Sequence, residues 1–99
     1  MPHCFELTDK KTGRVTPLIE IDRRLCEGFN ITPDPKKWYY NWYNYIGLLL
    51  ATGQSFDMIR ADLATDADLN PDDSWYRQMH SIASWLDRNY TARAWYEFK

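Results

Sequence analysis

The chain has 99 residues, enough for one domain with a hydrophobic core, and its 44% hydrophobic and 16% aromatic content excludes an intrinsically disordered protein. The formal net charge of −2 argues against the basic stripe of a duplex-binding protein. Two cysteines are too few for a secreted domain that depends on disulfides, although Cys4 and Cys26 could form one bridge. We therefore predict a single compact domain over 1–99 in the cytoplasm, because charges at 9–11 interrupt any apolar signal peptide.

The chain opens with a predicted β-hairpin and a short helix. Residues 4–8 and 14–18 would form the two strands, and the turn between them ends at Gly13, which can take a left-handed conformation. In the helix that follows, Asp22 is a plausible N-cap and Gly28 would end it.

Residues 38–56 carry no charged side chain, but asparagines and four tyrosines in this run argue against a membrane span. The Asp34–Pro35 pair and Gly53 instead predict a helix over 35–52. A helical wheel gives one core side, which comprises Trp38, Tyr39, Trp42, Tyr43, Ile46, Leu49 and Leu50. The opposite side holds Tyr40, Asn44, Gly47 and Ala51, and its lack of charge predicts that it packs on the domain's own sheet or on a separate chain.

The C-terminal half predicts two more helices and a strand. Ser55 would cap a helix with Phe56, Ile59 and Leu63 inward; residues 65–70 would form a loop; and Asn70 with Pro71 would start the last helix. The stripe of that helix comprises Trp75, Met79, Ile82, Ala83, Leu86 and Tyr90. Alternation over 91–98 then favours a strand that completes a small antiparallel sheet with the hairpin, so the predicted fold is α+β with about four helices.

Acidic residues are concentrated between positions 57 and 73, where the only basic residue is Arg60. The aspartates are Asp57, Asp62, Asp66, Asp68, Asp72 and Asp73. The simpler interpretation is a solvated loop with acids at helix starts, because the helix dipole favours acids there. The alternative is an acidic patch that attracts a basic partner.

We found no motif for catalysis, cofactor binding or metal binding. GxSxG, P-loop and GxGxxG sequences are missing, so we predict no enzyme, no catalytic residue and no cofactor. His3, Cys4, Cys26 and His80 lack the spacing of a zinc site, so no metal is predicted. A single-strand nucleic-acid site could use Arg23, Arg24, Lys36 and Lys37 with nearby rings, but charges that only aid solubility are the simpler interpretation.

Three stretches, "FELTDKKTG", "EIDRRLCEGFNITPDPKKW" and "WYNYIGLLLATGQSFDMIR", resemble small proteins of unassigned function encoded by bacteriophages and prophages. The shared features are a turn, helix caps and core positions, so no binding residue is implied by the resemblance. What the resemblance implies is a setting inside a bacterial host cell. Small phage proteins of this kind often bind and block a host or defence protein.

The favoured hypothesis is a non-enzymatic module that binds and blocks or modulates a larger bacterial protein. Its predicted contacts are Tyr40, Asn44, Gly47, Asp62, Asp66, Asp68, Asp72, Asp73 and Trp85. Trp85 is included because it points away from the stripe of the last helix and tryptophan is enriched in binding hot spots, although it could equally pack on a neighbouring helix. The alternatives are a single-strand nucleic-acid-binding protein and a self-associating protein that forms a homodimer.

Overall fold

A computed structural model describes residues 3–29 and 42–96. The elements in chain order are β1 (His3–Asp9), β2 (Val15–Thr16), α1 (Leu18–Gly28), α2 (Asn44–Ala51), α3 (Phe56–Leu69), α4 (Ser74–Asn89) and β3 (Tyr90–Tyr96). The three strands form an antiparallel sheet in the order β2-β1-β3. The described chain is thus α+β, with four helices, an N-terminal hairpin and a C-terminal strand, and the predicted fold class is confirmed.

The predicted hairpin and closing strand are both present, but their bounds differ from the prediction. Strand β2 covers only Val15–Thr16 because Leu18 already begins α1, and Tyr90 begins β3 instead of ending the stripe of α4. Asp9 starts the turn, its carboxylate accepting from the backbone N–H groups of Lys11 and Thr12, and Gly13 has a φ of 70°. The backbone N–H of Lys11 is the main cause that lowers the pKa of Asp9 below its usual value. Across the sheet, Phe5 lies opposite Ala94. Strands β1 and β3, which are far apart in sequence, are therefore paired along their whole length.

One face of the sheet is covered by helices. Phe5 and Leu7 on β1 point into the core, and alternate residues of β3, Ala92 and Ala94, pack against it. Helix α2 contacts both β1 and β3, while α3 and α4 pack on each other. The fully buried side chains that join these layers are Leu7, Ile21, Leu25, Ile46, Ile59, Leu63, Met79, Ile82, Leu86 and Tyr90. None of the helices in the described ranges is long and apolar enough to cross a membrane.

Helix α1 begins earlier than the sequence predicts. Its first residue is Leu18, directly after Pro17, so the prediction of Asp22 as N-cap is wrong. Asp22 lies inside the helix, where its carboxylate is buried and accepts a hydrogen bond from Trp42 Nε1 at 2.8 Å. The carboxylate is therefore bound by a side chain twenty positions away and not by the start of its own helix.

The described part of the aromatic helix follows the predicted core side. Trp42 and Ile46 are buried, and Gly53, with a φ of 97°, follows the end of α2 as expected. Phe5, Trp42 and Tyr43 form the interior ring cluster, in which the ring centroids of Phe5 and Trp42 lie 6.2 Å apart and those of Phe5 and Tyr43 5.5 Å apart. The predicted start at Asp34 and Pro35, and the core positions Trp38 and Tyr39, lie outside the described residues.

Two predictions between α3 and α4 are wrong. Residues 65–70 do not form a loop, because α3 continues to Leu69 after its confirmed N-cap at Ser55. Asn70 ends α3 instead of starting α4, its side chain donating to the carbonyl of Asp66. Asp73 is the N-cap of α4, with its carboxylate accepting from the backbone N–H of Trp75, so neither Asp72 nor Asp73 lies in the first turn.

Candidate functional site

Three aromatic rings meet where α2, α3 and the start of α4 come together. The centroids of Tyr45 and Trp75 lie 4.9 Å apart with their planes at 86°, and those of Trp75 and Tyr76 lie 5.2 Å apart at 87°. Edge-to-face pairs of this kind stabilise each other beyond the area that they bury. All three side chains are only half-buried, so the group packs against the core and still presents ring surface.

Two carboxylates of α3 lie close to these rings. Asp62 and Asp66 are one helical turn apart and share the side of α3 that faces Tyr45. Burial raises the pKa of the Tyr45 hydroxyl above its usual value, and the charges of Asp66 and Asp62 raise it further. In the described part of the chain neither carboxylate has an ion-pair partner. We call Tyr45, Asp62, Asp66, Trp75 and Tyr76 the acidic aromatic surface.

Exposed apolar side chains flank this surface. Met58 and Leu69 are 54% and 73% exposed, and the helical period places both on the same side of α3 as Asp62. Exposed apolar side chains are typical of a protein-binding surface when they are grouped. Their grouping with two unpaired carboxylates gives a surface that combines apolar anchors with negative charge.

The remaining predicted contacts are scattered. Asp68 and Asp72 are exposed, and Asp68 lines a shallow groove between α3 and α4 with Arg77 and His80. Asp73 is used as a helix cap. Of the predicted aspartates, only Asp62 and Asp66 lie close enough to Tyr45 for their charges to raise its pKa.

The uncharged strip of the aromatic helix is divided by the structure. Gly47 is buried, which leaves it no surface for a partner. Asn44 is half-buried, and Tyr40 lies outside the described residues. The strip therefore does not form one continuous exposed surface in the described chain.

Trp85 lies away from the acidic aromatic surface. Its half-buried ring packs on Tyr90 with centroids 5.5 Å apart, so it contributes to the core as well as to the surface. It lines a recess of about 260 Å³, whose charged lining residues are Asp9, Lys10, Lys11, Arg24 and Arg88. Predominantly positive charge around a ring is the composition of a single-strand stacking site.

The predicted basic patch is only partly described. Arg23 is exposed, whereas Arg24 donates to the Tyr90 hydroxyl at 2.5 Å and to Glu20 at 2.8 Å. These contacts bind the Arg24 guanidinium within the domain, and the hydrogen bond to Tyr90 is the largest cause that raises its pKa. Lys36 and Lys37 lie outside the described residues.

The rings of the acidic aromatic surface were missed at the sequence level. The sequence predicts Trp75 in the core stripe of α4 and indicates no role for Tyr45 or Tyr76, because the contact between these rings depends on how α2 packs across α3. The available signal was the pair Trp75–Tyr76 immediately after the acidic segment. Adjacent residues on a helix point in directions about 100° apart, so one of them had to leave the core stripe.

The thiol of Cys26 is shielded by the fold. Cys26 is a buried free thiol, and burial raises its pKa, which disfavours the reactive thiolate. Within residues 3–29 and 42–96, no group of three or more His, Cys, Asp or Glu side chains could hold a metal ion.

No protein-family model matches the chain, and no curated protein or solved structure does so either.

Proposed function

We propose that the protein is a non-enzymatic binding module whose acidic aromatic surface holds a basic segment of a larger protein. The observation that carries this proposal is the grouping of Asp62 and Asp66, both without ion-pair partners in the described chain, with half-buried rings and exposed apolar side chains. Aromatic anchors supply most of the energy of typical interfaces, while unpaired charges set the partner's sign and the association rate.

The carboxylates favour a cationic ligand for two physical reasons. A lysine or arginine side chain would gain ion pairs with Asp62 and Asp66 and could lie over the Tyr45 or Trp75 ring, where the face of the ring attracts cations. The bound cation would also reduce the repulsion between these two carboxylates, which lie one helical turn apart. An acidic partner would meet repulsion at the same place.

The setting of this function rests on the sequence resemblance to phage and prophage proteins. A small phage-encoded protein with one acidic surface suits a role in which it covers a basic region of a bacterial host or defence protein and blocks or modulates it. Proteins that act on nucleic acid carry such basic regions, which makes a nuclease, a defence complex or a replication factor a suitable target. A cytoplasmic location follows from that role and is part of the proposal.

A pull-down from bacterial lysate, followed by titration of the purified partner, tests the proposal. The variant Asp62→Asn with Asp66→Asn should weaken binding at least about tenfold, since a charge pair at an interface contributes more than about 1.4 kcal/mol. Asp68→Asn with Glu27→Gln removes the same total charge elsewhere and is the matched control. Affinity that falls equally in both variants would show that only net charge matters, and the proposed site would then be wrong.

A second candidate function follows from the recess at Trp85. Lys10, Lys11 and Arg88 line this recess together with Trp85, which favours the alternative of single-strand nucleic-acid binding at a place that the sequence does not indicate. Filter binding with a single-stranded oligonucleotide at low and high salt tests it. Binding at low salt that is lost in Trp85→Ala and Lys11→Ala would support this function, and lack of binding at low salt would remove it.

A further inference from the structure

The outer edge of β3 has free backbone groups. Lys10 donates its backbone N–H to the carbonyl of Asn89 at 3.0 Å, which fixes the alternation of hydrogen-bonded and non-bonded pairs along β1 and β3. With that alternation, the N–H and C=O groups of Thr91 and Arg93 face β1, and those of Ala92 and Ala94 face outward. Within the described residues no strand pairs with this edge, because β3 is the last strand of the sheet.

A groove runs along this edge. Its volume is about 570 Å³, and its second wall is made by the end of α2 and the start of α3, with Leu50, Gln54 and Phe56 opposite the strand. The side-chain oxygen of Gln54 is buried and has no hydrogen-bond partner in the described structure. Buried polar atoms are almost always bonded, so an unbonded oxygen in a groove indicates a missing donor.

We propose that this groove takes an extended peptide segment of another protein, which adds to β3 as the fourth strand of the sheet. A strand supplies what the groove lacks: backbone N–H and C=O groups at the spacing of Ala92 and Ala94, and an N–H within reach of Gln54. A neighbouring strand lies only about 4.8 Å from the edge. The wall opposite β3 therefore suits one strand better than the broad sheet of a second copy.

The charges at the groove define the peptide further. Arg60 holds both carboxylates at this end, donating to Asp87 at 2.5 Å and also to Asp57. Lys10 and Arg93 line the same groove and have no carboxylate partner in the described chain. The Lys10 ammonium donates to the backbone carbonyl of Asp87 at 2.6 Å, and the Arg93 guanidinium lies 4.7 Å from the centre of the Trp95 ring, so the positive charge of neither is neutralised by these contacts. The bound segment thus carries an acidic residue beside apolar residues that cover Leu50 and Phe56, and it differs in charge from the basic ligand of the acidic aromatic surface.

Octapeptides selected from a random display library on the intact protein provide the probe. A selected peptide should slow amide hydrogen exchange at Ala92 and Ala94. Ala94→Pro removes the outward N–H and leaves the pairing with β1 intact, and proline is tolerated at such edge positions. It should weaken peptide binding at least about tenfold, the effect of losing one well-made hydrogen bond in a shielded site. Ala94→Gly keeps the N–H and is the matched control.

Gln54→Leu gives a second test that does not depend on the strand. It removes the unbonded oxygen, so the free protein should melt at the same or a higher temperature while peptide affinity falls. Gln78→Leu, on the exposed side of α4, should leave affinity unchanged. Failure to select any peptide, or selected peptides that bind Ala94→Pro and Gln54→Leu as tightly as the parent protein, would overturn the proposal. A dimer in sedimentation that is lost in Ala94→Pro would overturn it too, because the edge would then belong to a second copy.

Discussion

Two groups of three rings in this protein, each with a tryptophan and at least one tyrosine, have different surroundings. The interior ring cluster joins the sheet to the start of α2, and its Trp42 donates to a carboxylate that is itself buried. The acidic aromatic surface joins α2 to α4, and its two carboxylates have no ion-pair partner in the described chain. In the first group the carboxylate is satisfied by the fold. In the second, negative charge remains available for a ligand.

The contrast shows that a polar partner decides what an aromatic cluster does. A buried carboxylate must be bonded, because leaving it without a partner costs several kcal/mol. An exposed carboxylate is solvated by water, so leaving it without an ion-pair partner costs little free energy, and it stays accessible to a ligand. Variants of the interior ring cluster should therefore change stability, whereas variants of the acidic aromatic surface should change binding.

The largest expected effect comes from Trp42→Phe. Phenylalanine keeps a ring in the core but removes the N–H that binds Asp22, so a buried carboxylate loses its donor. The free energy of unfolding should fall by at least about 2 kcal/mol. Urea unfolding followed by circular dichroism measures this change.

Trp75→Phe is the matched control for Trp42→Phe. Trp75 is half-buried, and the rings of Tyr45 and Tyr76 pack nearly perpendicular to it. The same substitution there should lower the free energy of unfolding by less than about 1 kcal/mol. Equal losses in the two variants would contradict the division of the rings into a stabilising group and a binding group.

The same division explains how much the sequence could predict. The hairpin, Gly13 and the cap at Ser55 depend on neighbouring residues, so local signals were sufficient. Asp22 was misassigned as a cap because its actual partner, Trp42, is distant in sequence. The start of α4 was misplaced because Asn70 and Asp73 are both suitable caps, and the choice depends on where α3 ends.

The site was predictable to a similar extent. Asp62 and Asp66 belong to a charge cluster that any count reveals, whereas the rings beside them come from α2 and α4. A sequence shows that charges are dense, but only the packing of helices shows which of them meet a ring. For this reason the sequence predicts five aspartates as contacts, and the structure places two of them beside Tyr45.

The second expected effect concerns Cys26, near the buried carboxylate. Burial raises its pKa, and the charge of Asp22 raises it further, so little thiolate forms at neutral pH. In a Cys4→Ser background, the remaining thiol should react with a thiol reagent at least about tenfold more slowly than free cysteine at pH 7.5, and at the free rate in denaturant. Rapid reaction in the native protein would show that α1 does not shield this position.

The stability of the protein at alkaline pH should depend on Tyr45. Its pKa in the folded state is raised above the unfolded value of about 10. Its contribution to stability is therefore fully present below about pH 10 and is lost as the pH rises through the folded pKa. Tyr45→Phe should lose less stability than the parent protein between pH 9.5 and 11.5 and match it in pH dependence near pH 7. Identical curves for both proteins would contradict the partial burial of the Tyr45 hydroxyl beside the two carboxylates.

The smallest effect on stability tests the surface most directly. Asp62 and Asp66 are like charges one helical turn apart, and such pairs destabilise a helix by about 0.2–0.5 kcal/mol. Asp62→Asn with Asp66→Asn should therefore raise the free energy of unfolding by that amount. Asp87→Asn, in which the same change removes the negative charge that pairs with Arg60, should lower it by up to about 1 kcal/mol. Both changes in the free energy of unfolding can be measured by urea unfolding at low ionic strength. Changes of opposite sign would show that the carboxylate of Asp87 stabilises the fold, whereas those of Asp62 and Asp66 do not. A loss of more than about 1 kcal/mol in the double variant would instead place Asp62 and Asp66 among the residues that hold the fold together.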